Sequence, residues 1–200
     1  MRRDTAEGNE ATLADLVAKA GDKPIPDDQP MGKVVPARFA HVDQSPVGAQ
    51  MILNDNVGPE EAAKLSKTRW GIVNIWRPIK TIRRDPLALC DGRSIEDKEF
   101  AIVESTLPKK GDGPGYYDTV SKGTRFQTME LRYSPNHKWW YASELNPEEA
   151  LVFKIFDSRT SIKGRSGHTA FVDPRTSSMA TRESMEMRSF VFYEDQPHEE

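Results

Sequence analysis

The chain has 200 residues, of which 36% are hydrophobic, and this is enough for one domain with a sizeable core. The 28 basic and 31 acidic residues give a formal net charge of −3, so neither nucleic acid nor an anionic membrane is an expected partner. No apolar run reaches the roughly 18 residues of a membrane span, and no apolar segment follows Arg2 and Arg3 as it would in a secretory signal. The single cysteine, Cys90, excludes an intramolecular disulfide and fits a reducing compartment, so we expect a cytoplasmic protein.

The sequence divides into three parts by composition. Residues 1–37 predict a poorly ordered N-terminal extension, with one short helix indicated by apolar side chains at helical spacing in 12–20. Four prolines in residues 23–36 are typical of loop or extended chain. The main domain is predicted over 38–194, and an acidic tail over 195–200.

The first half of the domain predicts a few strands and one helix. A first strand is indicated at 38–42, and a short helix at 59–67, where the proline lies in the first turn. The segment 69–76 is rich in β-branched and aromatic residues and predicts a strand. Short apolar runs follow at 86–91 and 100–103.

The second half predicts mostly strand. Alternation over 125–133, a turn at 134–137 and an aromatic segment at 138–141 together predict a β-hairpin. Further strands are predicted at 150–157, 168–173 and 182–193. Many short strands with few helices indicate a mainly β sandwich or barrel.

One short motif suggests chemistry. His41 and Asp43 are two positions apart, so on a strand their side chains would point to the same face. One further histidine would complete the two-histidine, one-carboxylate set that binds non-haem Fe(II) and leaves open positions. The four histidines are His41, His137, His168 and His198. His168 begins a predicted strand 125 positions after Asp43, which is the order of that triad. The motif alone is weak, because such spacing also occurs by chance among solvated residues.

Arginines that could bind a co-substrate follow His168 in the sequence. Oxygenases of this type generally use a 2-oxoacid, whose far carboxylate suits a bidentate guanidinium. Arg182 lies fourteen positions after His168, and Ser184 shares its strand face, so both could reach one carboxylate. Arg188 lies on the same face and is the second candidate. The alternative is that these are exposed arginines paired with neighbouring glutamates at the surface, for little energy.

Five ordered blocks between residues 38 and 193 resemble one family. The blocks are 41–46, 74–78, 86–91, 133–141, and 168–171 taken together with 182–188. They are similar to the fungal hydroxylase/desaturase family of the AsaB type, which is related to the CmcJ component of cephamycin methoxylase and to gibberellin desaturase-like proteins.

The resemblance implies a double-stranded β-helix, or jelly roll, with a few short helices. It also implies Fe(II)- and 2-oxoglutarate-dependent hydroxylation or desaturation of a small secondary metabolite. Carried over by motif, the metal ligands would be His41, Asp43 and His168. By the general pattern of such oxygenases more than by the resemblance, the 2-oxoglutarate role would fall on Arg182, and less directly on Arg188.

Six further residues in or beside the resembling blocks are candidates for contacting substrate or supporting the site. They are Asn74, Arg77, Tyr133, Asn136, His137 and Trp140. Asn74 lies in an otherwise apolar strand, where a buried amide must be hydrogen-bonded. For Trp140 a place in the core is the alternative, and for His137 it is a turn packed on aromatic neighbours.

Two other functions remain open from the sequence. The chain could be a non-catalytic relative that binds a small molecule or a partner enzyme, or a zinc hydrolase that uses the same three ligands. Members of the family usually carry more chain ahead of the His-X-Asp motif than the 40 residues here. The jelly roll could therefore lack an N-terminal edge strand, which would expose unpaired backbone.

Overall fold

The computed structural model describes residues 3–4, 36–106, 125–180 and 182–197. The helix predicted within 12–20 and residues 198–200 of the predicted tail lie outside the described residues. In the described part the strands are β1 (Arg3–Asp4), β2 (His41–Val42), β3 (Thr68–Pro78), β4 (Leu87–Cys90), β5 (Phe100–Thr106), β6 (Arg125–Leu131), β7 (Trp139–Tyr141), β8 (Leu151–Asp157), β9 (His168–Ala170) and β10 (Glu183–Pro197). The helices are α1 (Pro46–Val57) and α2 (Pro59–Leu65), with short 3₁₀ helices at Gly92–Ser94, Asp97–Glu99 and Pro174–Thr176.

The strands form two antiparallel sheets that face each other. One sheet has the order β1-β10-β3-β8, and the other has the order β5-β6-β2-β9-β4-β7. Side chains from both sheets meet between them, as the Phe153 ring of β8 does with the His168 ring of β9 at 5.0 Å. This arrangement is the mainly β jelly roll that the sequence predicts. β1 occupies the edge beside β10, and the expectation of a missing edge strand stays a prediction.

The core lies on the inner face of the four-stranded sheet. Along β3 the side chains of Trp70, Ile72, Asn74 and Trp76 are at most 3% exposed, while Val73, Ile75 and Arg77 lie nearer the surface. This period of two turns one face of the strand towards the second sheet. The Trp70 ring packs against Phe156 at 4.7 Å between ring centroids. Burial of each such side chain stabilises the fold by about 1.5–3 kcal/mol.

Helix α1 was not predicted, although its start carries a sequence signal. The Ser45 hydroxyl accepts a hydrogen bond from the Gly48 amide at 2.9 Å, and Pro46 occupies the first turn. The helix packs against β6 so closely that a Cβ at Gly48 would lie 2.0 Å from the Gln127 carbonyl oxygen. Leu53 of α1 is fully buried in the same cluster as Val42. The helix thereby fixes the chain just after the His-X-Asp motif.

The predicted hairpin of β6 and β7 is wrong. β6 pairs with β5 and β2, whereas β7 pairs with β4 at the opposite edge of the six-stranded sheet. The connection is held away from β6, because the Arg132 amide donates to the Glu99 carbonyl and the Lys138 amide donates to the Ser94 hydroxyl. Alternation along each strand identified the strands correctly, but it carries no information about which partner each strand takes.

Several boundaries differ from those predicted, and β2, for example, begins at His41 rather than at 38. β9 ends at Ala170 rather than at 173, and β10 continues to Pro197, four residues beyond its predicted end. None of the helices in the described part of the chain is long and apolar enough to cross a membrane.

Candidate metal centre and its surroundings

The six-stranded sheet brings the two predicted histidine ligands together. His41 of β2 and His168 of β9 are direct partners in the antiparallel register, and their ring centroids are 4.4 Å apart. Both residues are buried, at 7% and 3% exposure. Asp43 lies in a bend one residue beyond β2 and not within the strand as predicted, yet it points to the same place. One ligand atom from each of the three residues lies within 4.8 Å of the others.

The two imidazoles are oriented by backbone carbonyls. Nδ1 of His41 lies 2.9 Å from the Phe39 carbonyl oxygen, and Nδ1 of His168 lies 3.1 Å from the Ser166 carbonyl oxygen. Because a carbonyl only accepts, each Nδ1 must carry the hydrogen, and Nε2 is left to face the site. The Nε2 atoms lie 3.6 Å and 3.5 Å from the two Asp43 oxygens. This is how metal-ligating histidines are commonly oriented.

The Asp43 carboxylate is held from the opposite sheet. The Asn74 side-chain amide donates to Oδ2 at 3.1 Å, and the Arg188 guanidinium lies 3.2 Å from Oδ1. Burial by itself would raise the pKa of Asp43. The close contacts of His168 and His41, together with the charge of Arg188, outweigh burial and hold that pKa well below its usual range. The carboxyl group at position 43 is therefore ionised near neutral pH.

The donor set fits a divalent transition metal with nitrogen and oxygen ligands. Two imidazole nitrogens and one carboxylate on one side leave coordination positions open, which is the pattern of non-haem Fe(II) sites. A second observation supports a bound group: the Asn74 amide oxygen is buried without a hydrogen-bond partner among the described residues. His41, Asp43 and His168 could thus hold a metal ion.

Arg182 and Ser184 lie on the inner face of the four-stranded sheet. Arg182 is 2% exposed, donates from Nη1 to the Asp85 carbonyl at 2.6 Å, and has its guanidinium carbon 5.2 Å from the Trp76 ring centroid. Trp76 is two residues beyond Asn74 on β3, which is about 7 Å along a strand. Ser184 is 1% exposed and pairs with Pro78, so it faces the same interior. The buried Arg182 guanidinium and the Ser184 hydroxyl therefore lie about two strand residues, or about 7 Å, from the metal-ligand cluster.

Asp85 was not predicted, and it positions Arg182. It is 1% exposed, and its backbone has a φ of +51°, in the left-handed region that few non-glycine residues adopt. Arg38 donates to both of its carboxylate oxygens at 3.2 Å. The carbonyl of Asp85 is thereby held against Arg182. Only an Asp-Pro pair in the sequence hints at this turn.

A row of paired residues runs across the six-stranded sheet through the metal cluster. In register, Glu130 pairs with His41, His41 with His168, His168 with Leu89, and Leu89 with Trp140. Directly opposed residues of antiparallel strands point to the same face. Trp140 therefore lies on the face of the triad, two strands or about 10 Å from His168. Its side chain is 69% exposed.

Four predicted site residues are not brought to the cluster. Arg77 is on the outer face of β3 and donates to the Pro147 carbonyl at 2.8 Å. Tyr133 is 91% exposed, and Asn136 lies exposed in a turn. Nε2 of His137 lies 3.0 Å from a Glu99 carboxylate oxygen, in the connection between β6 and β7. In each case the residue lies in a resembling block, but local chemistry and the strand face direct the side chain elsewhere.

A family profile covers nearly the whole chain. The profile described as Oxidoreductase/YMDC permease-like domain matches residues 4–192. The chain belongs to this family.

Individual fungal proteins are also similar to the chain. The hydroxylase/desaturase asaB of Aspergillus flavus is 46% identical over 149 residues, which is 73% of this chain and 65% of asaB. The hydroxylase/desaturase efuI of Hormonema carpetanum is 39% identical over 189 residues, which is 94% of this chain and 61% of efuI. The predicted relationship to AsaB-type proteins is confirmed, and the relation to the cephamycin methoxylase component stays a prediction. The chain spans less than two thirds of the length of these relatives.

A solved structure confirms the fold. The iron and alpha-ketoglutarate-dependent endoperoxidase NvfI superposes with a TM-score of 0.67 at 29% identity, covering 83% of this chain and 58% of NvfI. Its fold supports the jelly-roll description of the two sheets.

Proposed function

We propose that this oxidoreductase-family chain is an Fe(II)- and 2-oxoglutarate-dependent enzyme that hydroxylates or desaturates a small secondary metabolite. The observation that carries the proposal is the buried cluster of His41, Asp43 and His168, whose ligand atoms lie within 4.8 Å of one another. The similarity to asaB and NvfI supports the same chemistry, since these proteins are named as a hydroxylase/desaturase and an iron and alpha-ketoglutarate-dependent endoperoxidase.

The metal would be held by the two Nε2 atoms and the Asp43 carboxylate. Iron bound there would supply the activation of O₂ needed to oxidise an unactivated C–H bond. The chain contributes the geometry: the carbonyls of Phe39 and Ser166 fix both imidazoles before any ion arrives. Because the ligands are already oriented, little conformational entropy is lost when they bind an ion.

The co-substrate would extend from the metal cluster towards Arg182. The guanidinium and the Ser184 hydroxyl would bind its far carboxylate, and a five-carbon dicarboxylate matches the distance of about two strand residues between Asn74 and Trp76. Burial of Arg182 strengthens such a charged hydrogen bond, because water competes little. Arg188 contacts Asp43 and Glu186 instead. We therefore assign it to holding Asp43 rather than to the co-substrate.

The substrate would lie along the apolar half of the paired row. Leu89 and Trp140 continue the row from His168 towards the sheet edge, and Phe153 of the facing sheet lies 5.0 Å from the His168 ring. An exposed indole beside a buried metal cluster suits a substrate that is largely apolar and flat. Leu89, Trp140 and Phe153 would together form a substrate wall that excludes water on one side of the reacting carbon.

Location and partners complete the proposal. The net charge of −3 and the single cysteine support a cytoplasmic protein that does not bind nucleic acid. The alternative is a non-catalytic relative that binds a partner enzyme. No contact among the described residues specifically favours that alternative.

An anaerobic titration tests the proposal directly. Fe(II) followed by 2-oxoglutarate should produce a weak visible charge-transfer band that saturates at one equivalent of each. The His137→Ala variant should give the same band, because His137 contacts Glu99 and not the cluster. Failure of the wild-type chain to take up Fe(II) stoichiometrically would favour a non-catalytic relative. Activity that persists without O₂ and 2-oxoglutarate would favour a zinc hydrolase.

A further inference from the structure

Asn74 combines two features that an ordinary core residue would not have. Its side chain is fully buried on the inner face of β3, among the apolar residues Ile72 and Trp76. Its amide nitrogen donates to Asp43 Oδ2, whereas its amide oxygen has no hydrogen-bond partner among the described residues. An unpaired buried acceptor costs the folded protein free energy, so this amide oxygen calls for a partner that the described residues do not supply.

The orientation of this amide is fixed by its partner. The amide nitrogen is the atom that faces Asp43, because it donates to the carboxylate oxygen Oδ2. The oxygen therefore is the atom without a partner. In a planar amide the oxygen lies about 2.3 Å from the nitrogen, and the nitrogen is 3.1 Å from Asp43 Oδ2. The free oxygen is thus within reach of the first coordination sphere of an ion held by the three ligands.

The missing partner must be a hydrogen-bond donor. 2-Oxoglutarate is a dianion near neutral pH and offers no donor, and O₂ offers none either. A water molecule bound to the metal does offer one, and a cation makes its hydrogens better donors.

We propose that Asn74 is a positioning residue for the metal centre: its amide nitrogen orients Asp43, and its amide oxygen accepts a hydrogen bond from a water molecule on the bound ion. Arg188 holds the other Asp43 oxygen, so the carboxylate is fixed from both sides. Loss of such supporting contacts typically weakens metal binding 10–100-fold. The inference rests on the proposed function for the presence of an ion.

Two replacements of Asn74 should have different effects. Asn74→Leu keeps the shape and removes both polar atoms. In the metal-free protein the lost hydrogen bond to Asp43 is offset by removal of the unpaired amide oxygen, so the unfolding temperature should change little. The affinity of Asn74→Leu for Zn(II) and Co(II) should fall by about 10–100-fold. Asn74→Asp keeps an acceptor but places a second carboxylate beside Asp43, so the metal-free protein should be less stable. A divalent ion relieves that repulsion, so Asn74→Asp should bind metal more tightly than Asn74→Leu.

The experiment uses the full chain and needs no substrate. Isothermal titration with Zn(II) gives the affinity, the Co(II) visible spectrum reports coordination geometry, and thermal unfolding of the metal-free variants gives stability. Asn56→Leu, the same replacement at an exposed position of α1, should leave affinity and spectrum unchanged. Metal affinity and a Co(II) spectrum of Asn74→Leu equal to those of wild type would overturn this inference alone. Loss of metal-free stability in Asn74→Leu without loss of affinity would also overturn it. A wild-type chain that binds neither ion would overturn the proposed function as well.

Discussion

His41 and His168 lie directly opposite each other on adjacent antiparallel strands, although 127 positions separate them in the chain. The centroids of their imidazole rings are 4.4 Å apart. Each Nδ1 is hydrogen-bonded to the backbone carbonyl of the residue two positions earlier in the chain. The same local geometry is thus repeated on two strands. Sheet pairing then brings the two Nε2 atoms to one carboxylate.

The first prediction concerns the metal ligands. His41→Ala and Asp43→Ala should each lower Fe(II) affinity by at least about 100-fold. Loss of a residue that only supports a ligand already costs up to about 100-fold, and loss of a ligand itself should cost more. Turnover of 2-oxoglutarate to succinate should disappear in both variants. The measurements are Fe(II) titration and succinate release, with circular dichroism to check folding. Turnover at the wild-type rate in either folded variant would contradict the assignment of these ligands.

The second prediction concerns the co-substrate site. Ser184→Ala should raise the KM for 2-oxoglutarate about 2–10-fold, because it removes one hydrogen bond worth about 0.5–1.5 kcal/mol. Arg182→Lys keeps the charge but loses the bidentate geometry, so it should raise that KM by more. Fe(II) affinity should change little in both. Ser189→Ala is the matched control on the outward-facing side of β10, where Ser189 pairs with Val73, and a KM shift there equal to that of Ser184→Ala would argue against a specific site.

The third prediction concerns the proposed substrate wall. Trp140→Ala should leave the unfolding temperature and the binding of Fe(II) and 2-oxoglutarate unchanged, because the indole is 69% exposed. It should raise the KM for the oxidised substrate about 2–10-fold, from loss of aromatic contact worth about 0.5–1.5 kcal/mol. Steady-state kinetics with that substrate is the measurement. Tyr133→Ala removes a 91% exposed aromatic that lies outside the row; an equal effect of both variants would mean that the row does not define the substrate site.

The sequence was sufficient for the parts of the site that depend on local periodicity. The alternation along β3 and the common face of Arg182 and Ser184 follow from a period of two. The position of Asp43 does not, because Asp43 reaches the site from a bend one residue beyond β2. The sequence was insufficient where a contact depends on which strands become neighbours. β7 pairs with β4, and Asn74 meets Asp43 across the two sheets, and neither relationship is encoded by local pattern.

A second kind of failure came from side chains that take a local partner. Arg77 and His137 lie in segments that resemble the family, and their residue types suit a polar pocket. Arg77 contacts the Pro147 carbonyl on the outer face, and His137 contacts Glu99. Residue type and block membership cannot distinguish such contacts from a place in the site, because both satisfy the same hydrogen-bonding groups.

The last prediction concerns a buried ion pair remote from the metal ligands. The Asp157 carboxylate is fully buried and accepts hydrogen bonds from Arg69 at 3.0 Å and 2.7 Å, from the Arg159 amide at 3.0 Å, and from Lys154. Burial would raise the pKa of Asp157, but the bonds from Arg69 and Lys154 outweigh it and lower that pKa below its ordinary value of 3.8. A carboxyl group whose pKa is lower in the folded state stabilises the protein above its unfolded pKa. That stability is lost as the pH falls through the folded pKa.

Asp157→Asn should therefore lower the free energy of unfolding at pH 7 by about 3–5 kcal/mol, because Arg69 and Lys154 lose the buried negative charge that accepts their hydrogen bonds. The difference from wild type should shrink as the pH falls from about 5 towards 2, since the wild-type carboxylate then becomes protonated too. Urea unfolding at several pH values measures both effects. Asp173→Asn is the matched control: Asp173 pairs with the exposed Arg175 two residues along the chain, and its replacement should lower the free energy of unfolding far less than Asp157→Asn does. A difference between Asp157→Asn and wild type that stays constant from pH 7 to pH 3 would mean that the charge of Asp157 does not stabilise the junction of β3 and β8.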